Sequence, residues 1–262
     1  MKKNGLFLIA TLLSGFCFTS CFKGSNVVDG TAVGVLSYSS SNTPILKSTI
    51  GPSYAPNLNS VMISKDISVG DCCIFVYSLD YDLPENSQNV IETNGYQTIA
   101  LLDIEKLSRN QMITHLTDTS KTMYSEIPIV DPYESGSYVD YHLFISQIVN
   151  QPSDMQITWD MSYDANTMMP TVEHGERYYD IFIRATKRNE GEKAKGNTQH
   201  LVAYNIGRYL EEAALNEYNN NNSATKFELR FHYVTEIDKD TQALTWQNKK
   251  IEIQISSFLV KQ

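Results

Sequence analysis

The 262-residue chain has no apolar run approaching the ~20 residues a membrane-spanning helix needs, so a transmembrane helix is not expected. Basic side chains are few, 21 against 30 acidic ones, for a net charge of -9. A nucleic-acid partner needs a basic stripe to neutralise phosphates, and none is present. The acids are spread along the chain rather than gathered in a tail, which favours solubility over any one partner. Catalytic motifs are missing too. The five histidines, His115, His142, His174, His200 and His232, never fall at the His-Glu-x-x-His spacing that sets two imidazoles on one helical face. Glu134-Ser135-Gly136-Ser137 comes nearest to a nucleophile elbow but lacks its first glycine. No phosphate-cradling or dinucleotide-binding glycine loop occurs, and the four cysteines form no Cys-x-x-Cys or Cys/His metal spacing. No catalytic residue, metal ligand or cofactor is therefore assigned, and an enzyme is not expected.

The amino terminus reads as an address. Lys2 and Lys3 form a positive region, and Leu6 to Phe18 forms an apolar core of secretory length, too short to span a bilayer. It ends in Phe18-Thr19-Ser20-Cys21, where two small residues precede a thiol able to accept a diacylglycerol. This resembles the lipobox of bacterial lipoproteins, with Phe18 where Leu is usual. The rival is an ordinary signal peptide, for which Ser14-Gly15-Phe16-Cys17 offers a poor cleavage site. On the lipobox reading residues 1–20 are a signal peptide and Cys21 carries the fatty chains, palmitate among them. Each buried methylene contributes about 0.8 kcal/mol and several chains act together. Cys17 departs with the signal, leaving Cys72-Cys73 in the folded part. As strand neighbours these point to opposite faces, one of them buried.

The remainder reads mainly as strands. Apolar and polar residues alternate from Met155 to Tyr163, Phe227 to Tyr233 and Ile251 to Ile255, each placing one face on a core. Tyr138 to Val149 and Tyr178 to Lys187 are further strands, rich in aromatic and β-branched residues. Only Ile206 to Asn216 has helical spacing, with Asn205 as its N-cap. Nearer the amino terminus, strands are expected at Thr31 to Tyr38, Val61 to Ser64, Cys72 to Tyr81 and Tyr96 to Leu107, with a turn at Val69-Gly70-Asp71. Five short strands suit a small OB-like barrel. The fold class is thus all-β. A tether (21–30) leads to an OB-like barrel (31–118), and a Pro/Gly-containing linker (119–137) leads to an antiparallel β-sandwich (138–262) with one short helix.

Candidate ligand contacts are few. Asp80-x-Asp82 and Asp238-x-Asp240 each put two carboxylates on one strand face, where they either hold calcium or stand as solvated turn acids. His232, beside Glu228 and Arg230 on a polar strand face, reads as a surface residue. Sixteen tyrosines are many for this length. Tyr133, Tyr138 and Tyr141 cluster after the linker, and Tyr178 and Tyr179 open a strand. Tyrosine suits glycan and protein surfaces alike, and core packing equally well.

The order of lipobox, tether, barrel with Val-Gly-Asp before Cys-Ile-Phe-Val-Tyr, and sandwich with Tyr178-Tyr179-Asp180-Ile181-Phe182-Ile183-Arg184 resembles the NigD-like lipoproteins of Bacteroidota. That resemblance implies an OB-type amino-terminal domain, an immunoglobulin-like carboxy-terminal sandwich and an envelope role, with no catalytic residues to carry over. Exported lipoproteins of that group tend to carry acids right after the cysteine, and Phe22 to Asp29 holds only one. This favours a lipid-anchored position on the outer membrane facing the periplasm over the cell surface. Three readings follow: a non-catalytic lipoprotein binding or scaffolding a protein partner, a carbohydrate or small-ligand binder using exposed tyrosines, and an enzyme with an acid pair assembled in space.

Overall fold

The computed structural model describes residues 26–49, 51–56, 65–165, 169–221 and 223–255. Cys21 and the strand expected at Val61 to Ser64 lie outside the described residues. The chain divides into two compact units, Met1–Ser108 and Arg109–Gln262.

The first unit is a five-stranded closed barrel. Its strands are β1 (Val27–Tyr38), β2 (Pro44–Ser48), β3 (Ser53–Pro56), β4 (Cys72–Asp80) and β5 (Tyr96–Lys106). They close in the order β1-β2-β3-β5-β4, with β3 and β5 parallel and the other pairs antiparallel. Val27–Gly30, expected in the tether, already pairs with β4, so the barrel begins earlier than 31. Leu36, Leu46, Tyr54, Cys73, Phe75, Ile99 and Ile104 fill the interior. Each such apolar side chain contributes about 1.5–3 kcal/mol on burial. Cys72 points the other way, opposite Val35, yet is as buried as Cys73, and neither is in a disulfide. A short helix, α1 (Gln88–Asn94), precedes β5 and ends at Gly95, whose φ of 75° lets its N–H close on Ile91 O. Buried Asn86 ties this connection down, donating to Asp80 O and Thr98 O and accepting from Thr98 N. Tight barrel coiling needs Gly34: a Cβ there would lie 2.1 Å from Lys47 O.

The second unit is a sandwich. Its elements are β6 (Arg109–Gln111), β7 (Glu126–Ile127), β8 (Asp131–Val139), β9 (His142–Pro152), β10 (Ile157–Ser162), β11 (Thr171–Glu173), β12 (Glu176–Lys187), β13 (Lys195–Asn205), α2 (Gly207–Asn220), β14 (Lys226–Ile237) and β15 (Leu244–Gln254). The larger sheet runs β10-β12-β14-β15, with β7 and β11 also paired to β12, and the smaller runs β6-β13-β9-β8. Most pairs are antiparallel, but β12 and β14 are parallel. Parallel neighbours need a long crossover, and here the chain passes through β13 and α2 between them. The core lies between the sheets. Leu143, Ile145, Val202 and Tyr204 come from one, Trp159, Met161, Ile181, Ile183, Leu229 and Phe231 from the other, and Leu210, Ala213 and Ala214 from α2. The helix starts at Gly207, after Asn205 has completed β13, and Ile206 rather than Asn205 occupies the N-cap, without a side-chain bond.

The segment 119–137 is not a free connector. Part of it forms β7 and most of β8, which pair with β12 and β9, and the chain passes between units at 108/109 rather than near 118. Arg184 explains the remainder. This side chain, 1% exposed, donates Nε and Nη2 to Glu126 at 2.6 and 2.5 Å. It also donates Nη1 to Asp118 O at 2.8 Å and Nη2 to Lys121 O at 2.7 Å. Trp246 Nε1 adds a bond to Thr119 O. A polar, proline-bearing stretch is thus clamped by one guanidinium whose geometry suits a carboxylate and carbonyls together.

Candidate functional site

Alternation along β12 sends Tyr179, Ile181, Ile183 and Ala185 into the core, and Tyr178, Asp180, Phe182 and Arg184 to the outer face of the larger sheet. On β14 the outer face carries Arg230 and His232. The parallel register sets Asp180 opposite Arg230 and Phe182 opposite His232. Asp180 becomes the centre of a cluster. Arg230 grips it with two bonds, Nε to Oδ1 at 2.6 Å and Nη2 to Oδ2 at 3.0 Å. His232 Nε2 meets Oδ1 at 2.6 Å, and the Thr171 hydroxyl donates to Oδ2 at 2.5 Å. The remaining arm of Arg230, Nη1, reaches Glu173 Oε2 at 2.6 Å. Burial alone would push the Asp180 carboxyl up. The bonds from His232, Arg230 and Thr171 outweigh it and hold the group well below the usual carboxylate range. His232 is therefore not a solvated surface residue. Its ring stacks on Phe182 with centroids 4.6 Å apart, and the Arg230 guanidinium lies 4.6 Å from the Tyr178 ring.

A cleft of about 230 Å³ opens beside this cluster. Tyr163, Phe182 and Tyr209 supply aromatic walls, and Leu116 and Met169 an apolar rim. Asp164, Asp180 and Thr171 line its polar side. Tyr209 comes from the first turn of α2 and donates its hydroxyl to the main-chain oxygen of Asp180 at 3.0 Å. Its ring packs 4.5 Å from that of Tyr163. An Asp–His pair suggests acid–base chemistry, but among the described residues no hydroxyl or thiol nucleophile bonds the imidazole. The cleft offers aromatic walls and polar groups to a ligand.

The residues singled out from sequence do not converge. Tyr133 lies in β8, with its side chain outside the described residues. Tyr138 is half-buried against the sandwich core, and Tyr141 is 54% exposed in a turn with a φ of 70°. Tyr178 and Tyr179 are both buried. The Tyr179 hydroxyl donates to Glu217 Oε1 at 2.8 Å, and Tyr178 accepts from Lys250 Nζ at 2.5 Å. The acid pairs close turns. Asp80 Oδ1 accepts from Asp82 N, while Asp238 Oδ1 accepts from the main-chain N–H groups of Asp240 and Thr241 and from the Thr241 hydroxyl. Asp180, Arg230, Thr171 and Glu173 escape sequence reasoning. They are spread over 50 and more positions, and only strand register unites them.

These features define an all-β protein with a closed OB barrel followed by a sandwich, and residues 24–104 match the family model of the lipoprotein OB domain. Among curated proteins no sequence relative matches significantly. An uncharacterised protein of Parabacteroides merdae shares the fold, at 20% identity and a TM-score of 0.72 over 86% of this chain and 99% of that one. A protein described as a putative toxin-related protein, from Parabacteroides distasonis, aligns at 11% identity and a TM-score of 0.53 over 85% and 93%. A NigD-like immunity protein of Bacteroides caccae aligns at 12% identity and a TM-score of 0.45 over 86% and 94%.

Proposed function

We propose that this chain is a non-catalytic lipoprotein of the cell envelope, acylated on Cys21 and held at the outer membrane on its periplasmic side, whose sandwich binds a protein partner. The observation that carries the anchoring is the match to a lipoprotein OB domain from residue 24, three positions after the lipobox cysteine. Partner binding is supported by the outward face of α2. Tyr141 packs so closely on Gly207 that a Cβ there would lie 2.3 Å from its ring. Further along the helix Leu215, 49% exposed, and Tyr218, 42% exposed, stand three positions apart on one face. Aromatic and apolar groups aligned this way are costly in water and favourable under a partner.

The test combines two measurements on the protein in its native cell. Metabolic labelling with an alkyne fatty acid should mark the wild type and not Cys21→Ser, which should also leave the membrane fraction. A photo-crosslinking amino acid at 141, 215 or 218 should give a discrete protein adduct that a probe at exposed Glu192 does not. Absence of label sinks the anchor, and absence of adducts from all three positions sinks the partner surface.

A further inference from the structure

We infer that the cleft beside Asp180 binds a single neutral sugar ring. The inference is independent of the lipid anchor and of the α2 surface. It rests on what the cleft accepts and what it turns away. No lysine, arginine or histidine is among its described lining residues, while Asp164 and Asp180 are, so phosphate or carboxylate ligands would meet like charge there. Arg230 is not among the described lining residues, and three of its five N–H donors are committed, Nε and Nη2 to Asp180 and Nη1 to Glu173. A cation would need a carboxylate with spare acceptor capacity. Asp180 has about four lone-pair positions, and they already take Arg230 twice, His232 and Thr171, while Asp164 is engaged in an interaction of its own. A purely apolar ligand would strip water from an ionised carboxylate and two hydroxyls and return nothing.

The two hydroxyls narrow the choice further. Thr171 spends its proton on Asp180 Oδ2, and Tyr209 spends its proton on Asp180 O. Both therefore face the cleft as fixed acceptors, strengthened by the bonds they donate. The occupant must donate hydrogen bonds without carrying charge, and must lay apolar surface against Phe182 and Tyr209. A pyranose meets both demands, with hydroxyls around its rim and C–H groups on its faces. The volume, about 230 Å³, equals roughly eight waters and accommodates one ring rather than a chain.

The experiment is ligand-observed NMR titration of the full chain, held in a detergent without a sugar head group. The probes are D-glucose, D-galactose and N-acetylglucosamine, with glucuronate and glucosamine as charged counterparts. At least one neutral sugar should saturate with a Kd on the order of 1 mM, as expected for a dozen heavy atoms, and both charged analogues should bind about tenfold more weakly or worse. Thr171→Val should weaken binding about tenfold. Met169 is 70% exposed at the rim, so Met169→Trp should block entry without touching the fold, and it covers the case in which Thr171→Val does not fold. No saturation by any neutral sugar, tighter binding of a charged analogue, or binding unchanged by Met169→Trp would overturn the inference.

Discussion

Removing the carboxylate of Glu126 strands Arg184 at the place where the sheet and its covering loop meet. Both side chains are essentially solvent-free, 1% and 0% exposed, and the guanidinium makes four bonds, two of them to this one partner. Breaking a buried pair of this kind from one side costs about 3–5 kcal/mol, because the surviving charge is left without compensation. A domain typically holds roughly 5–15 kcal/mol in total. For a unit of this size each kilocalorie moves the thermal midpoint by about 2–4 °C, so Glu126→Ala should lower the melting of the sandwich by about 6–20 °C. Circular dichroism reads the midpoint, and trypsin reads the mechanism. Lys121 exposes its side chain while Arg184 holds its carbonyl, so wild type should resist cleavage after Lys121 and Glu126→Ala should be cut there first. Replacing both partners with apolar residues, Glu126→Leu with Arg184→Met, should recover most of the loss, since the cost lies in the orphaned charge rather than in the missing attraction. A shift below about 3 °C for Glu126→Ala with no new cut at Lys121 would refute the reasoning.

Three further outcomes are expected. Asp180 has a folded-state pKa below its unfolded one, so its contribution is complete above about pH 4 and fades as pH falls towards the folded value; wild type should lose more urea stability between about pH 5 and pH 2 than Asp180→Asn, and equal losses would count against the cluster. Burial pushes the Cys73 thiol up to about 12, and Cys72 is equally enclosed, so iodoacetamide at neutral pH should modify the peptide carrying both only after urea is added, as mass spectrometry would report. Gly34→Ala forces a methyl against the Lys47 carbonyl and should cost the barrel about 1–3 kcal/mol in denaturant titration, while Gly196→Ala, with nothing within 4 Å of the added carbon, should cost far less.

Where the sequence speaks through alternation, the fold is legible in it. Trp159 and Met161, then Leu229 and Phe231, then Ile251 and Ile253 all enter one core, as period-two patterning requires. The barrel is legible through Cys72 to Tyr77, an apolar run whose Cys72, Cys73 and Phe75 are buried and whose Ile74, Val76 and Tyr77 are half-buried. The loop before β7 is not, since its order comes from Arg184, a residue some sixty positions away that looks locally like one more strand charge. Nor is the candidate site. Asp180 and His232 sit on polar strand faces that any antiparallel arrangement would leave in water, and the parallel register of β12 and β14 makes them neighbours. Tyr178 and Tyr179 look like ligand contacts in the sequence for the same reason that they pack well: a large ring with a hydroxyl serves a core with a nearby Glu217 or Lys250 as readily as a surface.

Ring closure of the first unit constrains how it can be recognised. Among the described residues β1 is bonded to β2 over Gly34–Tyr38 and to β4 over Val27–Val35, so the closed cylinder shortens the raw edge a visiting chain could zip onto to the Val27–Val33 stretch of β1 that only β4 pairs. Away from that stretch, whatever touches the barrel must do so through side chains and hairpin tips, so recognition there should be erasable by single surface substitutions. An open sheet would keep a generic backbone handle that no point mutation removes.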